Sequence, residues 1–221
     1  MKSFFLLLVT ALLLSACASA PQPLQYYVLD TGAAADDIVE GTADDIIEGT
    51  AGNIIEGTAG GPPEDQASNK TAADSGISIR LQGIKLARYL AQANMTLLRG
   101  DHSIYYASQH VWAEPLEQGF KRALARDLSE SGGIQLLLED EPAARPAQRE
   151  LLLQIDNFTA TEDSRALLVG KFWLFQKGEL VVSRQFQFSR TLTDDGYLHA
   201  VQQQRALIAE LAQSVRAAVA G

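Results

Sequence analysis

The sequence predicts a single-domain α+β fold, a mostly antiparallel sheet with two main helices packed on it. Three observations carry that expectation. The segments Glu150 to Phe158, Ala166 to Phe175 and Leu180 to Leu192 follow one another with only short polar turns between them, as hairpin-paired strands do. Leu116, Phe120, Leu124 and Leu128 recur every four residues, and Tyr197, Val201, Ile208, Leu211, Val215 and Val219 form a second helical stripe. These helices occur in two separate places instead of alternating one for one with strands, which favours α+β over a parallel βαβ architecture.

Along the chain, Tyr26 to Leu29 is a short apolar run expected to join the sheet. Ile77, Ile79 and Leu81 alternate with Ser78, Arg80 and Gln82, a strand half-buried on one face. Met95 to Leu98 and Ser103 to Ala107 flank Arg99-Gly100-Asp101-His102, a hairpin signal. Pro115 suits the first turn of the following helix, and Gly132-Gly133 stops it. Ile134 to Leu138 reads as a further short strand and Glu141 to Ala147 as a Pro-rich loop. Turns are expected around Glu162-Asp163 and Lys177-Gly178. In the last strand Leu180, Val182, Phe186 and Phe188 oppose Val181, Ser183, Gln185 and Gln187, a core face and a wet face. Ala166 to Phe175 is apolar on both faces, so it should be central, with helices or a partner covering its second side. Asp194-Asp195-Gly196 leads into the final helix.

The start of the chain reads differently. Lys2 supplies a positive n-region, Phe4 to Leu14 an apolar h-region, and Ser15-Ala16 the small residues that precede a peptidase cut. That run is shorter than the about 18 apolar residues a spanning helix needs, and Ser19 to Gln25 continues polar and Pro-containing. Leu14-Ser15-Ala16-Cys17 resembles a bacterial lipobox, and Cys17 is the only cysteine in the chain. The resemblance implies diacylation of the Cys17 sulfur through a thioether, cleavage between Ala16 and Cys17, and acylation of the new N-terminus by a palmitate-type chain. An uncleaved or differently cleaved signal with a free cysteine is the alternative. Ala18 stands where an aspartate would resemble the inner-membrane retention signal, so the expected destination is the outer membrane, facing the periplasm. The expected organisation is a signal peptide over 1–16, a lipidated tether over 17–24, a first strand over 25–30, an insertion over 31–75 and the rest of the domain over 76–221.

The formal charge of −9 belongs to the insertion. Asp36, Asp37, Glu40, Asp44, Asp45, Glu48, Glu56, Glu64 and Asp65 lie in a stretch without Lys or Arg, and the rest of the chain is balanced. A balanced body lacks the basic footprint of nucleic-acid binding. The acidic stretch repeats with a period of eight, from Ala35-Asp36-Asp37-Ile38-Val39-Glu40-Gly41-Thr42 through two further copies ending at Thr58. Two adjacent aliphatics per copy cannot build a core, so the segment reads as a repeat expansion, largely disordered. Calcium binding by the Asp-Asp pairs is the functional alternative, but the spacing lacks the alternating oxygen ligands and central glycine of an EF-hand loop.

No catalytic constellation is expected. Val28-Leu29-Asp30-Thr31-Gly32-Ala33 resembles the active-site turn of aspartic proteases, where two such aspartates share a proton. Asp30 is a single copy beside the repeat, so the protease reading is a remote alternative requiring a homodimer. His102, His110 and His199 are scattered, with His102 and His199 read as exposed polar residues. Neither zinc-binding spacing nor a nucleophile elbow, phosphate loop or dinucleotide fingerprint is present, so no metal or cofactor is expected.

Tyr26-Tyr27-Val28-Leu29 soon after the lipobox, the strand Ile77 to Leu86 running into Arg88-Tyr89-Leu90, the hairpin, and Trp112-Ala113-Glu114-Pro115-Leu116 at a helix start occur in fixed order. This combination resembles the ABC-type transport auxiliary lipoprotein family of Gram-negative bacteria. The chain departs from the family pattern before Tyr89, where the usual proline is absent, and at Ala91-Gln92-Ala93-Asn94. The resemblance implies a non-enzymatic lipoprotein held to outer-membrane lipid through its acyl anchor. It would work with an MCE-domain protein and inner-membrane transport components that move lipids or other hydrophobic molecules, and it could be an oligomer. Tyr89 and Trp112 are the candidate partner-binding residues, with Trp112 alternatively filling the core beside the helix start. A lipid-carrying module, with sheet and long helix enclosing an apolar cavity, is the competing reading.

Overall fold

The computed structural model describes residues 23–30, 76–100, 102–130, 133–138, 141 and 147–221. The expected signal peptide, the lipobox-like motif at Cys17, the octapeptide repeats and most of the Pro-rich loop therefore lie outside the described residues. Eight strands form one mixed sheet: β1 Gln25–Tyr27, β2 Ile77–Leu86, β3 Asn94–Arg99, β4 Ser103–Trp112, β5 Ile134–Leu137, β6 Arg149–Thr161, β7 Arg165–Gln176 and β8 Glu179–Thr191. A 3-10 turn, Arg88–Ala91, joins β2 to β3, and the two helices are α1, Leu116–Glu130, and α2, Tyr197–Ala220. No helix among the described residues is long and apolar enough to cross a membrane.

The expected hairpins form. β3 pairs antiparallel with β4, β6 with β7, and β7 with β8, and these pairings make the sheet antiparallel over most of its paired length. Lys177 and Gly178 turn β7 into β8 with φ of 52° and 83°, the positive pair that matches the twist of a two-residue hairpin. Parallel neighbours complete the sheet. β6 is its hub: β7 lines one edge, while the other carries β2 from Arg149 to Ile155 and then β3 at Ala160 and Thr161, both parallel. The 3-10 turn lets the chain step off β6 and return, near the point where the β6–β7 register shifts between Ile155 and Asn157. β5 pairs parallel with β2, and the amide of Ile77 at the head of β2 donates to the carbonyl of Gly133 at 2.6 Å.

Both helices pack over the same face of the sheet. Phe120, Ala123, Leu124 and Leu128 of α1 meet Leu207, Ile208, Leu211 and Val215 of α2 in one cluster with Leu151, Leu153 and Ile155 of β6 and Leu168 and Phe172 of β7. The Phe120 and Phe158 rings meet edge to face at 5.4 Å and 76°. Asp127 of α1 receives two hydrogen bonds from Arg205 of α2, each 2.6 Å, which fixes the helix pair by a fork-shaped ion pair. The alternate residues of β7, Leu167, Val169, Trp173 and Phe175, are half-buried on the opposite face. The second side of this strand is thus not covered by a helix among the described residues, because both helices occupy the first.

Arg80 and Glu150 face each other across the β2–β6 pair and form a part-buried ion pair. The hydrogen bond from Arg80 holds the Glu150 carboxyl below the usual glutamate range. A carboxyl depressed in the folded state contributes stability that is complete above its unfolded value and is lost as pH falls through its folded value. Arg80→Leu removes that contribution at neutral pH but not in acid, where it is already gone. Urea unfolding at pH 7 and pH 3 should therefore show a smaller loss on acidification in Arg80→Leu than in the native chain.

Candidate functional site

Three of the segments that carry the family resemblance, Tyr26 to Leu29, Arg88 to Leu90 and Trp112 to Leu116, are separate in sequence and meet in the fold. β1 lies parallel to the end of β4, with Gln25 opposite His110, Tyr26 opposite Val111 and Tyr27 opposite Trp112. The Ala113 amide donates to the Tyr27 carbonyl at 2.8 Å, and the Trp112 amide to that of Ala93, just past the 3-10 turn, also at 2.8 Å. Trp112 is therefore held between the first strand and the turn that presents Tyr89. It is 8% exposed and belongs to the core cluster.

The rest of the W-x-E-P-L element builds the start of α1. Pro115 immediately precedes the first helical residue, and its carbonyl accepts from the Gln118 amide at 2.9 Å. The Glu114 carboxylate reaches down the helix to Arg122. Leu29 is seated against Gly119, where an added Cβ would lie 3.5 Å from the leucine side chain. Asp30 then bonds Arg126 at 2.9 Å, with its side chain 5% exposed. The chain from Tyr27 to Asp30 is thus laid along α1 by a backbone bond, a packed leucine and an ion pair in succession.

This geometry gives Asp30 a role as a clamp. Its carboxylate bonds a guanidinium, the surroundings opposite to those in which two carboxyls share a proton. Among the described residues, no group of three or more His, Cys, Asp or Glu side chains could hold a metal ion. The histidines serve local structure. His110 stacks on Tyr197 at 3.6 Å and 17°, with its Nδ1 2.9 Å from the Tyr27 hydroxyl. His199 accepts from the Thr193 amide at 3.3 Å, and its side chain is 15% exposed, more enclosed than expected of an exposed polar residue. His102 is exposed in the β3–β4 turn.

The Tyr27, His110 and Tyr197 rings form an aromatic layer that ties β1 and β4 to the first turn of α2. Burial pushes the phenols of Tyr27 and Tyr197 up from the ordinary tyrosine range, so both are protonated at neutral pH, and the Tyr27 hydroxyl donates to Gln25 Oε1 at 2.8 Å. Sequence reasoning singled out Tyr27 within its motif but treated His110 as scattered. No spacing links residues on three separate elements, and the pairing of β1 with β4 is what brings them together.

Tyr89 stands at the surface of the same end. Leu90 beside it is 2% exposed and pins the 3-10 turn to the core, while the half-buried Tyr89 donates its hydroxyl to the Asp156 carbonyl at 2.9 Å. Burial and the nearby Asp156 charge raise its pKa. Exposed Arg88 precedes it. The result is a rigidly mounted tyrosine beside a cation, an arrangement suited to contact and not to covalent chemistry.

A model of the ABC-type transport auxiliary lipoprotein component family matches residues 61–216. The chain is 24% identical over 139 residues to the intermembrane transport lipoprotein PqiC of Escherichia coli strain K12, spanning 62% of this chain and 71% of that protein. Among solved structures, one of an uncharacterized protein superposes with a TM-score of 0.58 at 21% identity, covering 62% of this chain and 88% of that one. A protein of Xanthomonas campestris superposes at 0.54 with 12% identity, covering 66% and 85% of the two chains. At these identities the two solved structures establish likeness of fold.

Proposed function

Because the chain belongs to the ABC-type transport auxiliary lipoprotein component family, we propose that it is a non-enzymatic outer-membrane lipoprotein that docks an envelope-spanning transport assembly from the periplasmic side. Cys17 carries the lipid. The partner is an MCE-domain protein reaching from an inner-membrane ABC transporter, and the cargo is lipid or another hydrophobic molecule. The observation that carries this reading is the convergence of β1, the Arg88–Ala91 turn and the W-x-E-P-L element on one end of the domain, reached directly from the tether.

In this reading Tyr89 makes the partner contact, and Trp112 acts from inside, holding the turn through its amide bond to Ala93. Tethering confines the domain to one membrane surface, which raises its effective concentration for a partner arriving from the other. The docking reading is favoured over a lipid carrier because the space between sheet and helices is filled. Phe120, Leu124, Leu128, Leu151, Leu153 and Phe172 there are fully buried. The cavity at the far end of α2, about 360 Å³ and lined by Leu174, Val182, Val219 and Arg149, is open to solvent and half polar.

A photo-crosslinking amino acid in place of Tyr89, activated in intact envelopes, tests the proposal. The expected product is a covalent adduct with an MCE-domain protein, absent when the crosslinker replaces Lys177 in the β7–β8 turn. Adducts with that partner from Lys177 and none from Tyr89 would move the docking surface to the other end of the domain. Adducts with phospholipid alone would favour the carrier.

A further inference from the structure

We propose that the outward face of β1, formed by Leu24, Tyr26 and Val28, rests on the lipid surface to which the chain is tethered. This rests on the reading of Cys17 as the anchor. The three side chains alternate along the strand and its flanks, so they share one face, and they are 50%, 65% and 41% exposed. They are among the most exposed large apolar residues of the described fold. The strand cannot roll them inward. Its other face is fixed by the Tyr27 hydroxyl beside His110, by the Ala113 amide on the Tyr27 carbonyl and by Leu29 in the core. Val111, opposite Tyr26, is 8% exposed yet lies outside the main core cluster, as expected for a residue covered by the tyrosine on the outward face.

Three further features identify the occupant as lipid. Only six residues lie between Cys17 and Leu24, seven steps along the chain. Even fully extended, that chain reaches about 25 Å, so this face cannot leave the neighbourhood of the membrane. Residues 18–29 contain no charged side chain, so bringing this surface to the headgroup layer desolvates no ion. Tyrosine with an apolar ring and polar tip is a residue type favoured at the membrane–water boundary, and Tyr26 is flanked by aliphatics on the same face. Through its pairing with β4, β1 fixes the orientation of the sheet, so contact along β1 would set which end of the domain points into the periplasm.

The test uses the acylated full-length chain in phosphatidylethanolamine–phosphatidylglycerol vesicles. An environment-sensitive fluorophore is attached at Tyr26→Cys, at Leu24→Cys as a second outward position, and at Lys177→Cys as a distant control. Brominated phospholipid should quench the labels at 26 and 24 at least twofold and leave that at 177 unchanged. Unquenched labels at 24 and 26 on vesicle-bound protein would overturn the proposal while leaving the anchor intact. A blue-shifted label insensitive to brominated lipid would also overturn it, in favour of a second copy or another protein covering the face. Protein that fails to float with vesicles and carries no acyl mass on Cys17 would overturn the anchor reading itself, and this inference with it.

Discussion

Cys17→Ser should release the protein from the outer-membrane fraction and abolish partner function while leaving the domain folded. Each buried methylene of an acyl chain contributes about 0.8 kcal/mol, so one chain binds reversibly and two or three hold a protein firmly. The serine variant can acquire no thioether-linked diacylglycerol, so the whole of that attachment is lost in one substitution. The described fold starts after this position, with the first strand at Gln25 and the first core residue at Leu29, so the melt is expected to be unchanged. Fractionation of the envelope, with a thermal melt of the recovered protein by circular dichroism, measures both halves of the expectation. Recovery of the variant in the outer-membrane fraction would sink the anchor assignment. An altered melt would show that the tether contributes to the domain.

Gly170→Ala should be the most damaging single-methyl change in the sheet. Gly170 lies opposite Ile155 on β6 and Phe186 on β8, beside the register shift of the β6–β7 pair. A Cβ there would stand 2.1 Å from the Gln154 carbonyl oxygen and 2.9 Å from the Phe186 ring. The ring could swing by a few tenths of an ångström. The carbonyl is backbone in the hub strand, and moving it means opening the β6–β7 ladder. Overpacking a tight interior usually costs about 1–3 kcal/mol, and this site belongs at or above the top of that range. Urea denaturation measures the loss, and a cost of less than about 1 kcal/mol would show that the bulge relaxes to make room.

The elements of this fold were legible because their signals are local. Leu116, Phe120, Leu124 and Leu128 announce α1 by spacing alone, and Lys177-Gly178 announces the turn between β7 and β8. Neighbours without a hairpin between them were not legible. Alternation tells which face of β2 is buried and says nothing of which strand lies beside it, so its parallel pairing with both β5 and β6 is a property of the whole assembly. The same limit applied at the candidate site. Asp30 stood out by its resemblance to a protease turn, while the residue that defines its chemistry, Arg126, lies 96 positions away on a helix. Trp112 was marked by its motif, yet only the fold places its side chain in the core and its amide on the turn that carries Tyr89.

The clamp at Asp30 also bears on how the domain tolerates a change in chain length. The chain leaves the described fold at Asp30, bonded to Arg126, and re-enters at Ile77, bonded to Gly133, so exit and return both stand beside the last turn of α1. Two such fixed points are each held by their own contacts, and in general a doubling of loop length between fixed points costs a fold only about 0.6 kcal/mol. Adding or removing one octapeptide between them is therefore expected to change folding stability by a few tenths of a kcal/mol at most. A chain carrying one octapeptide fewer should therefore melt close to the native temperature, whereas Asp30→Ala, which leaves Arg126 without its partner, should melt lower.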